Sequence, residues 1–193
     1  MDNQGQIYQA LIARRSASAR HLVAPGPSLA QIESAVFAAS RAPDHGRLVP
    51  FRFMVIGDLA RARFAAVLAD AASEAQPGLS APEIERAREK ALQGPNLLAL
   101  IARINANHPK IPASDQWLSV GCALENLLLA LQSQGFAVAV RSGRYLETRA
   151  VHTAFGLGDS EHFVCFLAIG TASEWPPVKP KPTLEAVFSH WQG

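Results

Sequence analysis

The spacing of apolar positions along the chain reads as a mixture of helices and strands. In "IYQALIARR", Ile7, Ala10 and Leu11 fall at helical spacing and predict a first helix ending near Arg14. "SLAQIESAVFAAS" opens with Ser28 and Gln31 at capping-box spacing, and Ile32, Ala35, Val36 and Ala39 then form its apolar face, with Pro43 stopping it. "FRFMVI" (Phe51 to Ile56) has the aromatic and β-branched content of a strand, followed by a Gly57-Asp58 turn. "LARARFAAVLADAASEA" predicts a third helix broken at Pro77-Gly78, and "SAPEIERAREKAL" a fourth behind Ser80 and Glu83. The rich polar face of this pair predicts an excursion over the core.

"LLALIARI" (Leu97 to Ile104) is apolar throughout and bounded by turn residues, as in a buried strand. In "SDQWLSVGCALENLLLALQSQG", Ser114 is the expected N-cap and Gly135 the C′ residue. Between them Val120, Ala123, Leu124, Leu127, Leu128 and Leu131 cover more than one face, which predicts a central helix. "FAVAV" follows as a strand ending in "RSG", "TRAVHTAFG" as a short helix closed by Gly156, and "HFVCFLAIG" as another buried strand. The order predicts an α+β domain with a central mixed sheet of about four strands and helices on both sides. No linker or repeat divides residues 1–193, and residues 172–193, which include "SEWPPVKPKP", read as an extended C-terminal arm.

With 49% hydrophobic and 18% charged residues the chain has an ordinary globular composition. A formal net charge of +2, with the basic residues scattered, argues against a nucleic-acid partner. The start "MDNQGQIYQ" lacks the layout of a signal peptide, and no apolar run is long enough to span a membrane. Cys122 and Cys165 sit in apolar segments and read as buried free thiols, so a soluble, cytoplasmic location is expected.

Strong catalytic signatures are missing: the sequence has no GxGxxG after a strand, no P-loop, no HExxH and no GxSxG, and its histidines show no metal-ligand spacing. Three polar clusters stand at element ends: "RRS" (14–16), "RAPDH" (41–45) and "RSG" (141–143). Arginine offers a rigid donor fork and serine a hydroxyl, a set suited to phosphate. Taken alone, "RRSASAR" reads equally well as arginines drawn to a helix C-terminus, and His45 as a residue closing the turn after Pro43-Asp44.

The ordered combination of "RRSAS", "RAPDH" and "VGCALENLLLALQSQGF" running into "RSG" resembles the FMN-dependent nitroreductase family, and most nearly its short NAD(P)H nitroreductase branch. The similarity runs from about Ile7 to Gly170-Thr171 and the tail. It implies FMN as cofactor, NADH or NADPH as electron donor, and a homodimer with FMN at the subunit interface. Arg14, Arg15 and Ser16 would hold the phosphate and ribityl chain, and Arg41 and His45 would serve the partner's flavin. Val140, Arg141 and Ser142 match a strand end near the cofactor, Gln134 and Gly135 a stretch associated with nicotinamide, and Lys179 and Lys181 basic residues near the phosphate. The sheet's fifth strand would come from the partner's tail, residues Ala186 to His190, against the alternative of a short helix capped by Thr183.

Three positions depart from the family pattern. Ser18 stands where a basic residue is usual, and "VPF" replaces "QPW", so Val49 lacks an amide and Phe51 an indole. The implied reaction is ping-pong reduction of a nitroaromatic, quinone or similar small electrophile, with no amino-acid side chain identified as catalytic. The alternatives are a non-catalytic flavin carrier of the same fold, a related flavin enzyme acting on an enone or halogenated aromatic, and a helical interaction domain without a small ligand.

Overall fold

In the computed structural model, which describes residues 3–193, two strands without a polar face set the centre of the molecule. β3 (Asn96–Arg103) sends Leu97, Ala99 and Ile101 to one side and Leu98, Leu100 and Ala102 to the other, all of them buried. β5 (Glu161–Ala172) pairs antiparallel with β3, and the register shifts between Leu100 and Ile101, which face Cys165 and Phe163. The bulge inserts Val164 and changes the parity of the strand. Phe163 and Phe166 therefore share a face although three positions separate them.

β2 (Phe51–Ile56) lies antiparallel on the far edge of β3, while β4 (Ala137–Arg141) and β1 (Leu22–Val23) both pair antiparallel with β5. The sheet thus has five strands within one chain and is antiparallel throughout, not mixed. β3 and β4 do run in the same direction, but β5 lies between them, so the helical crossover joining them creates no parallel pair. β1, only two residues long, is too short to leave a periodic signal in the sequence.

One face of the sheet is covered by α2 (Leu29–Ala39) and α5 (Ala113–Ser133), the other by α3 (Asp58–Ala75) and α6 (Arg149–Phe155). On the α3 side, Phe64 meets Phe166 edge-on at a centroid distance of 5.1 Å and Phe155 at 5.6 Å. α3 is therefore a core helix that buries Phe64, Ala65, Leu68, Ala69 and Ala71, and not part of an excursion. Small alanines hid its buried stripe. Of this pair only α4 (Ala81–Glu89) is peripheral, burying Ala87 alone.

Both capping pairs form. The Ser28 hydroxyl accepts the Gln31 N–H at 3.3 Å, and Gln31 Oε1 accepts the Ser28 N–H at 2.9 Å. The Glu83 carboxylate accepts from the N–H of Ser80 at 2.8 Å and from its hydroxyl at 2.6 Å. α5 starts earlier than expected, with Pro112 and not Ser114 at the N-cap. Its end is as expected: Gly135 has φ +88°, a conformation glycine adopts without penalty, and its N–H donates to Gln132.

α1 (Asn3–Ala13) is helical as predicted but buries little, and Ile7 and Tyr8 remain 67% and 62% exposed. The tail beyond β5 makes no strand within the chain; Leu184–Ala186 form a single 3-10 turn after Thr183. Among the described residues, no helix is long and apolar enough to cross a membrane and no cluster of side chains could hold a metal. Cys122 and Cys165 are free, and burial pushes the Cys165 thiol up to about 12.

Candidate functional site

The segment leaving α1 runs along the outer strand of the sheet, where the Ala17 N–H donates to Val138 O of β4 at 3.0 Å. This tie buries Ala17 and Ala19 and leaves the side chains of Arg14, Arg15, Ser16 and Ser18 around a cleft of about 440 Å³. The opposite wall is the tail, Pro176 to Lys181. Four cations (Arg14, Arg15, Lys179 and Lys181) and the hydroxyls of Ser16 and Ser18 therefore line one cavity, with no carboxylate among the lining residues. Such a donor set suits a phosphate monoester.

The two arginines are held differently. Arg14 Nε meets Glu125 Oε1 of α5 at 3.1 Å, and its Nη1 is 3.5 Å from the Ser16 hydroxyl. Arg15 reaches the tail, lying over the Trp175 ring at 5.1 Å from its centroid and donating from Nη2 to the Pro176 carbonyl. Glu125 was not anticipated. Its one signal was an acid within the otherwise apolar "ALENLLLAL".

The second cluster lies apart from this cleft. Arg41 follows α2 and is exposed, and His45 Nδ1 is 2.8 Å from Asp115 Oδ2 at the start of α5. The loop between them and β2 is tightly wound. The Asp44 carboxylate accepts the N–H groups of Leu48 at 3.2 Å and Val49 at 2.7 Å. Gly46, Arg47 and Val49 all have left-handed backbones, with φ of +76°, +55° and +47°. For a β-branched residue this is a strained conformation, and Val49 is 53% exposed, so packing does not compensate for it. Phe51, two residues on, is buried in the core beside Phe53 and is not a cleft residue.

Val140 and Arg141 end β4, two and three residues past the point where the Arg14–Ser18 segment is tied. Val140 is exposed, and so is Ser142 just beyond the strand. The Arg141 side chain turns to the other face, where its Nη2 donates to Gln93 Oε1 at 2.6 Å and its Nε is buried without a partner. Lys90 sits nearby with Nζ 4.4 Å from the centre of the Tyr145 ring. Burial, and then the charge of Arg141, lower the Lys90 pKa. Gln134 and Gly135 do structural work at the end of α5, where Gln134 Nε2 donates to Gln31 O at 3.3 Å and links α5 to α2.

Under the strained loop lies a charge cluster. Glu161 receives Arg52 Nε at 2.8 Å and Arg103 Nε at 3.0 Å, and the Gly158 N–H at 3.2 Å. The Arg52 hydrogen bond is the main reason its carboxyl titrates at about 2. The Arg103 N–H donates to Pro50 O at 2.9 Å, so this cluster anchors the strand ends that carry the loop.

A family model described as the Nitroreductase family matches residues 11–171. Over 161 residues the chain is 38% identical to "Putative NAD(P)H nitroreductase YdjA" of Escherichia coli K12, covering 83% of this chain and 85% of that protein. Among solved structures, a nitroreductase-like family protein from Bacillus cereus superposes with a TM-score of 0.81 at 17% identity, over 100% of both chains. The FMN-dependent nitroreductase NfnB from Mycobacterium smegmatis, solved in complex with NADPH, gives a TM-score of 0.73 at 15% identity, over 99% of this chain and 100% of that one.

Proposed function

The chain belongs to the nitroreductase family, and from that premise we propose that it is an FMN-dependent oxidoreductase with its phosphate site in the cleft between residues 14–18 and 176–181. The observation that carries this reading is the convergence of Arg14, Arg15, Lys179, Lys181, Ser16 and Ser18 on a cavity with no carboxylate in its lining. A terminal phosphate monoester dianion matches that set. Glu125 fixes the Nε edge of Arg14 and orients its fork, while Ser16 stands within reach of the same group. Held there by Arg14, Ser16 and the tail lysines, FMN would supply the hydride chemistry for a ping-pong reduction of a nitroaromatic, quinone or similar small electrophile at the expense of NADH or NADPH.

The protein's own part is to bind, orient and exclude water. Val140 and Ser142 lie at the strand end next to the phosphate segment, where they would border the flavin. Gln134 and Gly135 would border the nicotinamide through their backbone, since the Gln134 side chain is committed to α2. Arg41 and His45 lie outside the cleft of their own chain, which supports a site completed by a second subunit.

The homodimer is part of the same proposal. Ile7, Tyr8, Leu11 and Ile12 of α1, Phe37 of α2 and Leu118 of α5 are exposed apolar side chains that a partner would cover. β2 leaves one edge unpaired, and beside it Leu29, Val36, Phe37, Phe53 and Val55 line an apolar groove of about 490 Å³. The partner's tail carries exposed Leu184, Val187 and Phe188 and would add Ala186 to His190 at such an edge. The visible spectrum of the purified protein, FMN titration, and rapid mixing with NADH and NADPH test the reading. Yellow protein bleached by a pyridine nucleotide is expected. Bound flavin that no nucleotide reduces would make the protein a flavin carrier, and protein that stays colourless in excess FMN would overturn the proposal.

A further inference from the structure

The two adjacent arginines of the cleft have different partners, and the difference assigns them different work. The tail is rich in proline, with Pro176, Pro177, Pro180 and Pro182, so much of its backbone has no N–H to pair with a strand. Its last backbone bond to the body, among the described residues, is the Ser173 N–H to His21 O at 2.9 Å. Beyond that point the tail carries Lys179 and Lys181 past the cleft with no further backbone–backbone bond to the body among the described residues. Arg15 makes two contacts with it at once, with its guanidinium over the Trp175 ring and an N–H to the Pro176 carbonyl. A planar fork can stack and donate together, whereas an ammonium cannot reproduce both contacts.

We propose that Arg15 is a positioning residue: it latches the tail at Trp175 and Pro176 and so holds Lys179 and Lys181 opposite Arg14 and Ser16. Arg14, oriented by Glu125, then faces the ligand, and Arg15 acts on it through the tail. The inference rests on the cleft's being the FMN phosphate site and adds the division of labour within it. The cleft's second wall comes from the same chain, and its position depends on one cation.

Arg15→Lys keeps the positive charge but loses the stack and the carbonyl bond together, and Trp175→Ala removes the ring while leaving the Arg15 fork whole, so a loss of affinity in Trp175→Ala marks a latch and not a direct phosphate contact. FMN affinity should fall about tenfold in Arg15→Lys and in Trp175→Ala. Lys179→Met/Lys181→Met should weaken FMN in the native background and have little further effect once Arg15 is Lys. An independent readout needs no flavin. In a Trp117→Phe/Trp191→Phe background, both positions being exposed, Trp175 is the remaining emitter, and Arg15→Lys should raise its acrylamide quenching about twofold. FMN affinity in Arg15→Lys or in Trp175→Ala within twofold of wild type would overturn the latch, as would full additivity with the lysine pair or unchanged Trp175 quenching. If the wild type binds no FMN, the assignment of the site fails, and the quenching arm still decides whether Arg15 holds the tail.

Discussion

The segments 14–18 and 41–49 have the same kind of composition, with arginine, serine or histidine placed just after a helix, and the chain builds them in opposite ways. The first holds no left-handed residue, is hydrogen-bonded to β4 and faces a cavity in its own subunit. The second is wound into left-handed backbone by Asp44 and sends His45 to Asp115, outside that cavity. A cluster that is strained, exposed and outside the cleft does little for the stability of a single chain. One that is free of left-handed backbone and lines a cleft is complete up to its ligand. The contrast is the one the proposed shared site would need, with a fixed half and a donated half.

The largest test removes the donated half. A chain ending at Pro182 should sediment as a monomer and lose FMN affinity by about a hundredfold, because the charge-assisted contact of Arg41, worth about 1.5–3 kcal/mol, and the hydrogen bond of His45, worth about 0.5–1.5 kcal/mol, would be absent. A truncated dimer binding FMN normally would leave the arm without a role. A full-length monomer with tight FMN would erase the distinction between the halves.

Next in size is Arg14→Ala, within the fixed half. It should weaken FMN about tenfold or more while thermal stability stays near wild type, since Arg14 pairs with the partly exposed Glu125 and is not in the core. Isothermal titration and thermal unfolding together check the pair of outcomes.

Val49→Gly separates the two segments by sign. Left-handed backbone costs a non-glycine residue about 1–2 kcal/mol, and glycine returns about 0.5–1 kcal/mol of that through chain entropy. Unfolding should shift upward by about 2 °C. If the strained form serves the partner's flavin, FMN affinity should fall as stability rises. No comparable stabilisation is expected from glycine at Ser16, where φ is not left-handed.

The smallest effect is on acid stability. The Glu161 carboxyl is held at about 2, below its unfolded value of 4.5, so its contribution is complete above about pH 4.5 and is lost as pH falls toward 2. Thermal unfolding of Glu161→Gln should be flatter than wild type across that window. Proton-linked loosening should reach the Pro50 end of the strained loop before the segment tied to β4.

Much of the fold was legible because its signals are local. Capping pairs at Ser28 and Ser80, the glycine at 135 and the uninterrupted apolar run of β3 each specify structure within a few residues. Strand direction was not legible, because it depends on β5 inserting between β3 and β4 from the far end of the chain. Helix α3 was misjudged because alanine is a weak marker of burial. At the site, the order of the three clusters was readable and the family resemblance put Lys179 and Lys181 near the phosphate, but the contacts along the cleft's second wall were not readable. Beside Lys179 and Lys181, Arg15 and Trp175 meet across 160 residues of chain, a tertiary contact with no periodic signature. Glu125 was hidden for a similar reason, since its partner lies in another element.

The proline content of the tail has a consequence for the lifetime of the protein. Lys179 and Lys181, the tail's only sites for a trypsin-like protease, are followed by Pro180 and Pro182, and Trp175, open to a chymotrypsin-like one, by Pro176. A peptide bond to proline lacks the N–H and the free rotation that such proteases engage. The stretch that carries the lysines is thereby shielded by its own covalent structure, although it lies in the open. Leu184, Phe188 and Trp191 have no such neighbour, so digestion of the free chain should trim the tip and stop before the basic strap.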